Sequence, residues 1–371
     1  MLSLPVAESA SQDSPRLPRI RFLVPGTSGK YRCGGLLVEL QTARILSRLI
    51  PTDVVTYRRR EPAHPFLADL LRTEDAAEPV RWIVSWGFDV PALLRKLKGR
   101  SVLYHAHSCG YDFDLPPGVP VVAVSRNTLG YWGNRAPRNP LFLVPNALDS
   151  QWVERGARGQ KKQRAIDVLV QRRKNSAYVL EQLVPALRAV GLRVDVQDGW
   201  VDDLVGLFNE ATVVLYDSAD YWRSRGLTEG FGLPPIEALA AGCVVFSSFN
   251  HALADLLEPG TVGHQIGCGR LSADVERICA AVRCPADWLP ESTRLEMLLD
   301  GVSEASALEG WRRVLSSLGV VERGSDSPLV NLPSWRLRWR QRRHRLKERG
   351  ARWLGGFQAW GSGRSPRRLA P

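Results

Sequence analysis

The chain alternates short, continuous apolar runs with glycine-rich turns and with stretches of helical periodicity. Residues 20–26 (IRFLVPG) form an apolar run that ends at Pro-Gly, and residues 36–50 (LLVELQTARILSRLI) place apolar residues near helical spacing. Further apolar runs in this half of the chain are RWIVSW, SVLYHAH, VPVVAVS and LFLVP. Because these runs are continuous rather than alternating, they predict parallel strands that are covered on both faces.

The same alternation resumes after a polar, basic segment at residues 154–165 (ERGARGQKKQRA). This segment lacks apolar periodicity, so we interpret it as a linker between domains. The strands predicted beyond it are IDVLVQ, LRVDVQ, TVVLYDS and CVVFSS, and residues 274–318 show a mainly helical pattern. The whole pattern predicts an α/β protein with two doubly wound, Rossmann-like domains that face an interdomain cleft.

A length of 371 residues agrees with two domains, since one core seldom organises so long a chain. We predict five segments with the following boundaries: a disordered N-terminal segment at residues 1–18, a first domain at residues 19–153, a linker at residues 154–165, a second domain at residues 166–320, and a basic Trp- and Arg-rich tail at residues 321–371.

The net charge of +12 is concentrated near the C-terminus. Residues 331–371 contain twelve Lys and Arg residues and one acidic residue, Glu348, so the rest of the chain is nearly neutral. No uninterrupted apolar run approaches the roughly 20 residues that cross a bilayer, and the N-terminus lacks a signal-peptide pattern. The six cysteines form no CxxC pair, which predicts reduced thiols in a cytoplasmic protein.

Two glutamates flank a glycine-rich loop in LTEGFGLPPIEALAAGCVVFSS, residues 227–248. The loop ADYWRSRGLTEGFG follows a predicted strand, and a helix is predicted from Pro234 to Gly242. Ligands of open α/β sheets bind at the carboxyl ends of strands. We therefore expect Glu229 to project into the cleft and Glu237, in the first turn of the helix, to lie close to it.

This stretch resembles the Glu-x7-Glu motif of retaining glycosyltransferases with the GT-B fold, and it is most similar to glycosyltransferase family 4. Similar segments elsewhere in the chain occur in the family's order: RCGG, LYHAHS, VVAVSRNT, LFLVPNALD and RRKN. The resemblance extends over about residues 19–318. It implies that the second domain holds a nucleotide sugar donor and that the first domain holds the acceptor.

The resemblance implies a role for each residue of the motif. Glu237 accepts hydrogen bonds from the ribose hydroxyls of the nucleotide, each worth about 1.5–3 kcal/mol. Glu229 contacts the donor sugar near its reacting end. The N–H groups around Phe231, Gly232 and Leu233 approach the sugar hydroxyls and the diphosphate, which a glycine-rich loop permits.

Three basic residues in RRKN correspond to the family's Arg and Lys pair. In the family these cations stabilise the negative charge that develops on the departing diphosphate. Lys174 is one member of the pair, and Arg172 or Arg173 is the other. The usual spacing is compressed here, so the sequence leaves open which arginine takes this role.

Two matched positions in the first domain complete the implied site. His107, at the end of SVLYHAH, corresponds to a histidine that meets the donor sugar, and it is favoured over His105. Gly34 and Gly35 correspond to a glycine turn that approaches the donor phosphate or the acceptor. An ordinary strand-to-helix turn explains these glycines nearly as well.

The implied reaction is transfer of a hexosyl group, with retention, from a nucleotide diphosphate sugar to an acceptor hydroxyl. The family resemblance suggests a carbohydrate or lipid-linked acceptor in the synthesis of cell-surface polysaccharide or glycolipid. The donor is a substrate, so no cofactor is expected. GT-B enzymes typically act without a bound metal, and the histidines and cysteines show no zinc spacing.

The basic tail carries an aromatic stripe. On a helical wheel its large apolar residues fall within about 60° of one another: Trp335, Trp339, Leu346, Trp353, Phe357 and Trp360. A basic helix with such a stripe predicts peripheral binding to the anionic inner face of the membrane. Two alternatives stay open: a solvated tail, and a helix whose aromatic residues pack on the first domain.

The same tail also allows a function of another class. A non-catalytic protein could bind a polyanion such as nucleic acid through the arginines, with the α/β body as a scaffold. That interpretation leaves the glutamate pair unexplained. A transferase-like protein that only binds its ligand is disfavoured because both carboxylates and the basic pair are intact. We therefore expect an enzyme and no nucleic-acid partner.

Overall fold

The computed structural model describes residues 19–74, 79–85, 87–159, 163–323 and 329–361. Within these ranges the chain forms two parallel β-sheets with helices packed on their faces. The N-terminal segment of residues 1–18, which is predicted to be disordered, lies outside the described residues.

The first domain is built on a six-stranded sheet. Its strands are β1 (Arg19–Val24), β2 (Thr52–Thr56), β3 (Val80–Val84), β4 (Ser101–Ala106), β5 (Val121–Ala123) and β6 (Leu141–Leu143). Its helices are α1 (Gly34–Leu46), α2 (Leu67–Thr73), α3 (Val90–Lys96), α4 (Arg126–Arg135) and, at the domain's end, α5 (Ser150–Glu154). The strand order is β2-β1-β3-β4-β5-β6, and every neighbouring pair is parallel.

The second domain is built on a five-stranded sheet. Its strands are β7 (Ile166–Gln171), β8 (Val194–Gln197), β9 (Ala211–Tyr216), β10 (Val244–Ser247) and β11 (His264–Gln265). A π-helical turn (Tyr178–Leu183) leads into α6 (Val184–Ala189), followed by α7 (Leu204–Asn209), α8 (Ala219–Arg223), α9 (Leu233–Ala240), α10 (Leu253–Leu256), α11 (Leu271–Arg283) and α12 (Ser292–Gly301). The strand order is β11-β10-β9-β7-β8, again entirely parallel.

Alternate residues of each central strand enter different cores, because successive side chains of a strand point to opposite faces. Phe22 and Leu23 in β1 are both buried, yet they belong to separate apolar clusters. Val213 and Val214 in β9 divide in the same way between the two clusters of the second domain. Burial on both faces explains the continuous apolar runs, and the predicted α/β class with two doubly wound domains is confirmed.

Three short elements differ from the sequence prediction. The edge strand β2 was not predicted because its first three residues are only half-buried, which weakens its apolar signal. The strand β11 is two residues long, too short to leave a pattern. The predicted loop after β9 contains α8, a five-residue helix that interrupts the path to Glu229.

The helix that follows α12 returns the chain to the first domain. This helix, α13 (Glu304–Arg323), packs against α1, and its residues Trp311, Val314 and Leu318 join the same apolar cluster as Ile20 of β1. The segment predicted as the second domain, residues 166–320, therefore ends on the core of the first domain. Helical periodicity shows which residues are buried, but it cannot show which core receives them.

The tail forms one helix, α14 (Ser334–Gly361), which continues through three glycines. Asn331 bonds Asn139 (2.6 Å) and Ser334 bonds Asp114 (2.8 Å), so the start of α14 is attached to the first domain. Trp335 and Trp339 are 62% and 55% exposed, which contradicts packing of these aromatic rings on the body.

The side chains of Trp353, Phe357 and Trp360, which complete the predicted stripe, lie outside the described residues, as do residues 362–371. No helix in the described part of the chain combines the length and the apolarity that a bilayer crossing requires. The helix α14 is instead strongly basic, with eight arginines, one lysine and one glutamate.

The return of α13 to the first domain makes Trp311 important for stability. Its side chain is 2% exposed, and its ring meets that of His105 at 5.2 Å. We expect Trp311→Ala to lower the free energy of unfolding of the first domain by about 3–5 kcal/mol, because a large buried ring is replaced by a cavity. Urea unfolding followed by circular dichroism measures this change.

Arg312→Ala is the matched control on the same helix. Arg312 is exposed and forms an ion pair with Glu309, one turn away, so we expect a change within about 0.5 kcal/mol. Equal unfolding midpoints for Trp311→Ala and the unmodified chain would contradict the packing role of α13.

Candidate active site

Glu229 lies at the carboxyl end of the second sheet, in the loop between α8 and α9. It is 4% exposed, and its carboxylate accepts hydrogen bonds from the Tyr216 hydroxyl and from Trp222 Nε1 (2.8 Å). Lys174 Nζ lies 3.4 Å from Glu229 Oε1. Burial alone would raise the pKa of this carboxyl, but the Lys174 charge and the donated hydrogen bonds hold the pKa below its ordinary value. Glu229 is therefore a buried, ionised carboxylate.

Glu237 has a different environment. It is the fifth residue of α9, which begins at Leu233, so it lies just beyond the first turn in which the sequence placed it. Its carboxylate forms no hydrogen bond or ion pair with the described residues. Burial raises the pKa of Glu237 to about 7, although the Lys174 charge acts in the opposite direction. This glutamate has free hydrogen-bonding capacity.

Lys174 connects the two carboxylates electrostatically and is held by an unusual backbone. Its φ of 67° places it in the left-handed region, which residues other than glycine seldom adopt. Asn175 braces this turn: its side-chain amide donates to Gln171 O (2.7 Å), and its Oδ1 accepts from Asp217 N (2.8 Å). The cation is thereby fixed at the carboxyl end of β7, in the position that the sequence predicted.

The two arginines beside Lys174 are not in contact with either glutamate. Arg172 is 53% exposed and pairs with Asp198 at 2.9 Å, in the loop after β8. Arg173 is exposed and has no ion pair within the described ranges. The choice between Arg172 and Arg173 thus stays open, whereas the Lys174 position is defined by direct contact with Glu229.

The glycine-rich loop serves two structural purposes. Gly232 caps α9 with a φ of 97°, and a Cβ at this position would lie 2.4 Å from Leu253. Phe231 directs its ring into the core of the second domain, and Leu233 begins the helix. The backbone N–H groups of these residues therefore lie at the start of α9, whose first two turns contain Glu237.

The same loop touches the first domain directly. A Cβ on Gly230 would lie 1.4 Å from the His107 carbonyl oxygen, so only glycine fits. Ser108 Oγ donates to Thr228 O (2.6 Å), and Cys109 N donates to Thr228 Oγ1 (3.1 Å). The carboxyl end of β4 is thus joined to the segment that carries Glu229, which brings His107 of the first domain next to the glycine-rich loop of the second.

His107 belongs to a buried trio that the sequence analysis did not find. Glu39 of α1 is 1% exposed, and its Oε1 accepts hydrogen bonds from His105 Nδ1 (3.0 Å) and His107 Nε2 (2.6 Å). The ligand-type atoms of these three residues lie within 4.8 Å of one another. Because Glu39 lies in an ordinary amphipathic pattern 66 residues before His105, sequence spacing gave no signal for this contact.

Gly34 and Gly35 are the first residues of α1, and both are exposed. The preceding Cys33 provides no side-chain cap for this helix, and a Cβ on either glycine would meet no atom within 4 Å. Open space beside a helix N-terminus is compatible with a nearby phosphate. The same helix carries Glu39, so α1 connects the glycine turn with the histidines.

Four further residues around Glu229 escaped the sequence analysis. Trp222 donates to Glu229 and also lies over Lys174, with Nζ 4.7 Å from the ring centroid. His251, with a φ of 53°, accepts a hydrogen bond from Glu229 N at 3.3 Å. Tyr216 and Asn175 were identifiable in principle, because both lie at the carboxyl end of a predicted strand, where ligands of such sheets bind.

Comparisons with known proteins identify the architecture. No family model and no curated protein sequence matches the chain. Solved structures do match: HepE of Anabaena, in complex with UDP and glucose, has a TM-score of 0.55 at 16% identity, covering 81% of this chain and 100% of that chain. Sucrose-phosphate synthase of Thermosynechococcus elongatus has a TM-score of 0.57 at 13% identity, covering 82% and 99%.

AviGT4, a glycosyltransferase involved in avilamycin A biosynthesis, has a TM-score of 0.54 at 16% identity, with 81% of this chain and 98% of that chain covered. At these low identities the likeness concerns the fold. The two parallel-sheet α/β domains of this chain match the GT-B fold of these glycosyltransferase structures.

Proposed function

We propose that this protein is a retaining, metal-independent hexosyltransferase whose donor is a nucleotide diphosphate sugar and whose acceptor is a carbohydrate or lipid-linked hydroxyl. The observation that carries the proposal is the position of Lys174, whose charge acts on both Glu229 and Glu237 at the carboxyl end of the second sheet. On a GT-B fold, this cluster suits a ligand that has a sugar, a diphosphate and a ribose.

The two glutamates are suited to different parts of the donor. Glu237 is half-buried, and its carboxylate has unused acceptor capacity for hydrogen bonds from ribose hydroxyls. Glu229 already accepts from Tyr216 and Trp222, so it is held in one orientation beside the sugar. A residue held in this way stabilises developing positive charge on the sugar without reorganising.

The proposed chemistry is a front-face substitution at the anomeric carbon. The bond from the sugar to the diphosphate breaks as the acceptor oxygen attacks on the same face, and the departing diphosphate accepts the acceptor's proton. Lys174, with Arg172 or Arg173, stabilises the leaving charge. The complex of the similarly folded HepE with UDP-glucose suggests a UDP-sugar as the first donor to test.

The donor site predicts a division of effects between the two glutamates. Glu237→Ala should weaken UDP-glucose binding by roughly 10- to 100-fold, since it removes charge-assisted hydrogen bonds. Glu229→Gln should lower turnover about 100-fold and change donor affinity about threefold or less.

A thermal-shift panel of UDP-, GDP- and ADP-sugars first identifies the donor, because only a ligand that binds the folded form stabilises it.

Glu258→Gln is the control for these variants. Glu258 belongs to the same domain, is exposed, and pairs with Arg294 at the surface, so donor affinity and turnover should not change. Full activity in both Glu229→Gln and Glu237→Ala would refute the proposed site.

The raised pKa of Glu237 predicts a pH dependence of donor binding. Ribose hydroxyls donate to the ionised carboxylate, and a pKa of about 7 leaves the free site mostly protonated at pH 6 and mostly ionised at pH 8. The affinity for UDP-glucose should therefore rise roughly tenfold between pH 6 and pH 8. Isothermal titration calorimetry at three pH values measures this change.

Glu237→Gln should remove the slope, because its amide does not titrate. UDP-glucose is the suitable ligand because its phosphates do not titrate in this range. Parallel pH profiles for Glu237→Gln and the unmodified chain would show that another group is responsible.

We also propose that α14 binds the anionic inner face of a membrane, which would bring the first domain to a lipid-linked acceptor. Trp335, Trp339 and Leu346 are 62%, 55% and 65% exposed among arginines. Contacts of Asn331 and Ser334 attach the start of α14 to the first domain. Each basic residue near an anionic surface contributes about 1 kcal/mol to binding.

Deletion of residues 331–371 should abolish flotation with phosphatidylserine-containing liposomes, and Trp335→Ser with Trp339→Ser should reduce it several-fold. Trp200→Ser provides a matched control, because Trp200 is 52% exposed on the second domain. Flotation equal to that of the intact chain would exclude the membrane role. A tail-dependent shift of single-stranded nucleic acid in place of flotation would favour the polyanion-binding alternative.

A further inference from the structure

The trio of Glu39, His105 and His107 has a geometry that sets the proton positions of both imidazoles. Glu39 Oε1 is within hydrogen-bonding distance of Nδ1 in one ring and Nε2 in the other. Burial alone would raise the pKa of Glu39, but the two histidines hold the pKa well below its ordinary value. The carboxylate is therefore ionised and can only accept hydrogen bonds.

An acceptor-only partner determines which nitrogen of each ring carries the proton. His105 is fully buried, and its burial and the neighbouring His107 lower its pKa, so this ring is neutral. Its proton must lie on Nδ1, which faces Glu39. In His107 the nitrogen that faces Glu39 is Nε2, at 2.6 Å from Oε1, so Nε2 carries a proton. When the ring holds this one proton, its other nitrogen, Nδ1, is an acceptor.

The location of His107 gives this arrangement a functional meaning. The side chain is 18% exposed, whereas those of Glu39 and His105 are 1% and 2% exposed. The His107 carbonyl oxygen packs on Gly230, which directly follows Glu229. Of the three residues, His107 is the one with access to the cleft.

We propose that Glu39 is a positioning residue: it fixes His107 in the Nε2–H tautomer and one orientation, so that Nδ1 accepts a hydrogen bond from a hydroxyl of the bound sugar. This inference rests on the proposed transferase function for the identity of the ligand. The tautomer itself follows from the contacts within the trio.

The cost of burying Glu39 supports a role beyond packing. Its second oxygen, Oε2, is buried and has no hydrogen-bond partner in the described part of the chain. A buried acceptor without a partner is destabilising, and an apolar residue at this position of α1 would avoid that cost. A contribution to stability therefore does not account for a carboxylate at position 39. Its hydrogen bonds to the imidazole rings of His105 and His107 do account for it.

The distances also distinguish this trio from a metal site. Ligand atoms about 2.0–2.1 Å from a tetrahedral zinc ion lie roughly 3.3 Å apart. The nitrogen of His107 is only 2.6 Å from Glu39 Oε1, which is a hydrogen-bond distance. The arrangement therefore fits a carboxylate that accepts from two imidazoles, and metal binding becomes an outcome of the test.

The experiment is a long-range ¹H–¹⁵N correlation spectrum of the full chain with ¹⁵N-labelled histidine. Signals of His105 and His107 are assigned with His105→Gln and His107→Gln. We expect a single Nδ1–H tautomer for His105 and a single Nε2–H tautomer for His107 in the unmodified chain. An Nδ1–H tautomer or a mixture at His107 would overturn the proposal without any variant of Glu39.

Glu39→Gln then tests the control of the ring, because its amide can both donate and accept. We expect mixed tautomers at His107 and a 10- to 100-fold loss of kcat with the donor KM changed less than about threefold. Thr42→Val is the matched control: Thr42 is buried on the same helix, and its hydroxyl donates to Val38 O (2.7 Å) rather than to the trio. It should leave tautomers and kcat unchanged.

The remaining outcomes separate this inference from the proposed function. Unchanged tautomers and kcat in Glu39→Gln would show that Glu39 has a structural role only. Stoichiometric zinc in the purified chain, lost in Glu39→Gln, would replace the positioning role with a metal site. If both histidines show the expected single tautomers but the chain transfers no sugar, the geometry of the trio is supported and the transferase proposal is refuted.

Discussion

The ion pair between Lys174 and Glu229 is the interaction on which the arrangement of the cleft depends. A carboxylate that is 4% exposed is stable in its ionised form only if a nearby cation and hydrogen-bond donors compensate for lost hydration. Lys174 provides that charge from a different strand of the same sheet. Its left-handed backbone and the bracing Asn175 show that the fold maintains a strained turn to hold the cation there.

The same cation leaves the second carboxylate in a different state. Glu237 experiences the Lys174 charge without a direct contact, so desolvation dominates and its pKa is about 7. Two acids with different proton affinities therefore share one cleft, one fixed in its ionised form and one able to change its charge near neutrality. Such a division is typical of functional sites, where the environment of each carboxyl defines its task.

Close backbone contact joins this cleft across the two domains. Gly230 lies against the His107 carbonyl, and the return of Trp311 to the first core places a helix of the C-terminal half beneath β4. His105 touches Trp311 on one side and Glu39 on the other. The apolar core of the first domain is consequently in contact, through His105 and Glu39, with the side chain of His107.

The sequence by itself determined the two parallel sheets, the location of most strands, and the place of Glu229 and Lys174 in loops at the carboxyl ends of strands, because apolar runs and motif order are local properties of the chain. Only the tertiary structure decided that Glu39 meets the histidines and that α13 belongs to the first core. Those contacts join residues that are far apart in sequence. A helical pattern predicts which face of a helix is buried, but it does not predict which element packs against that face.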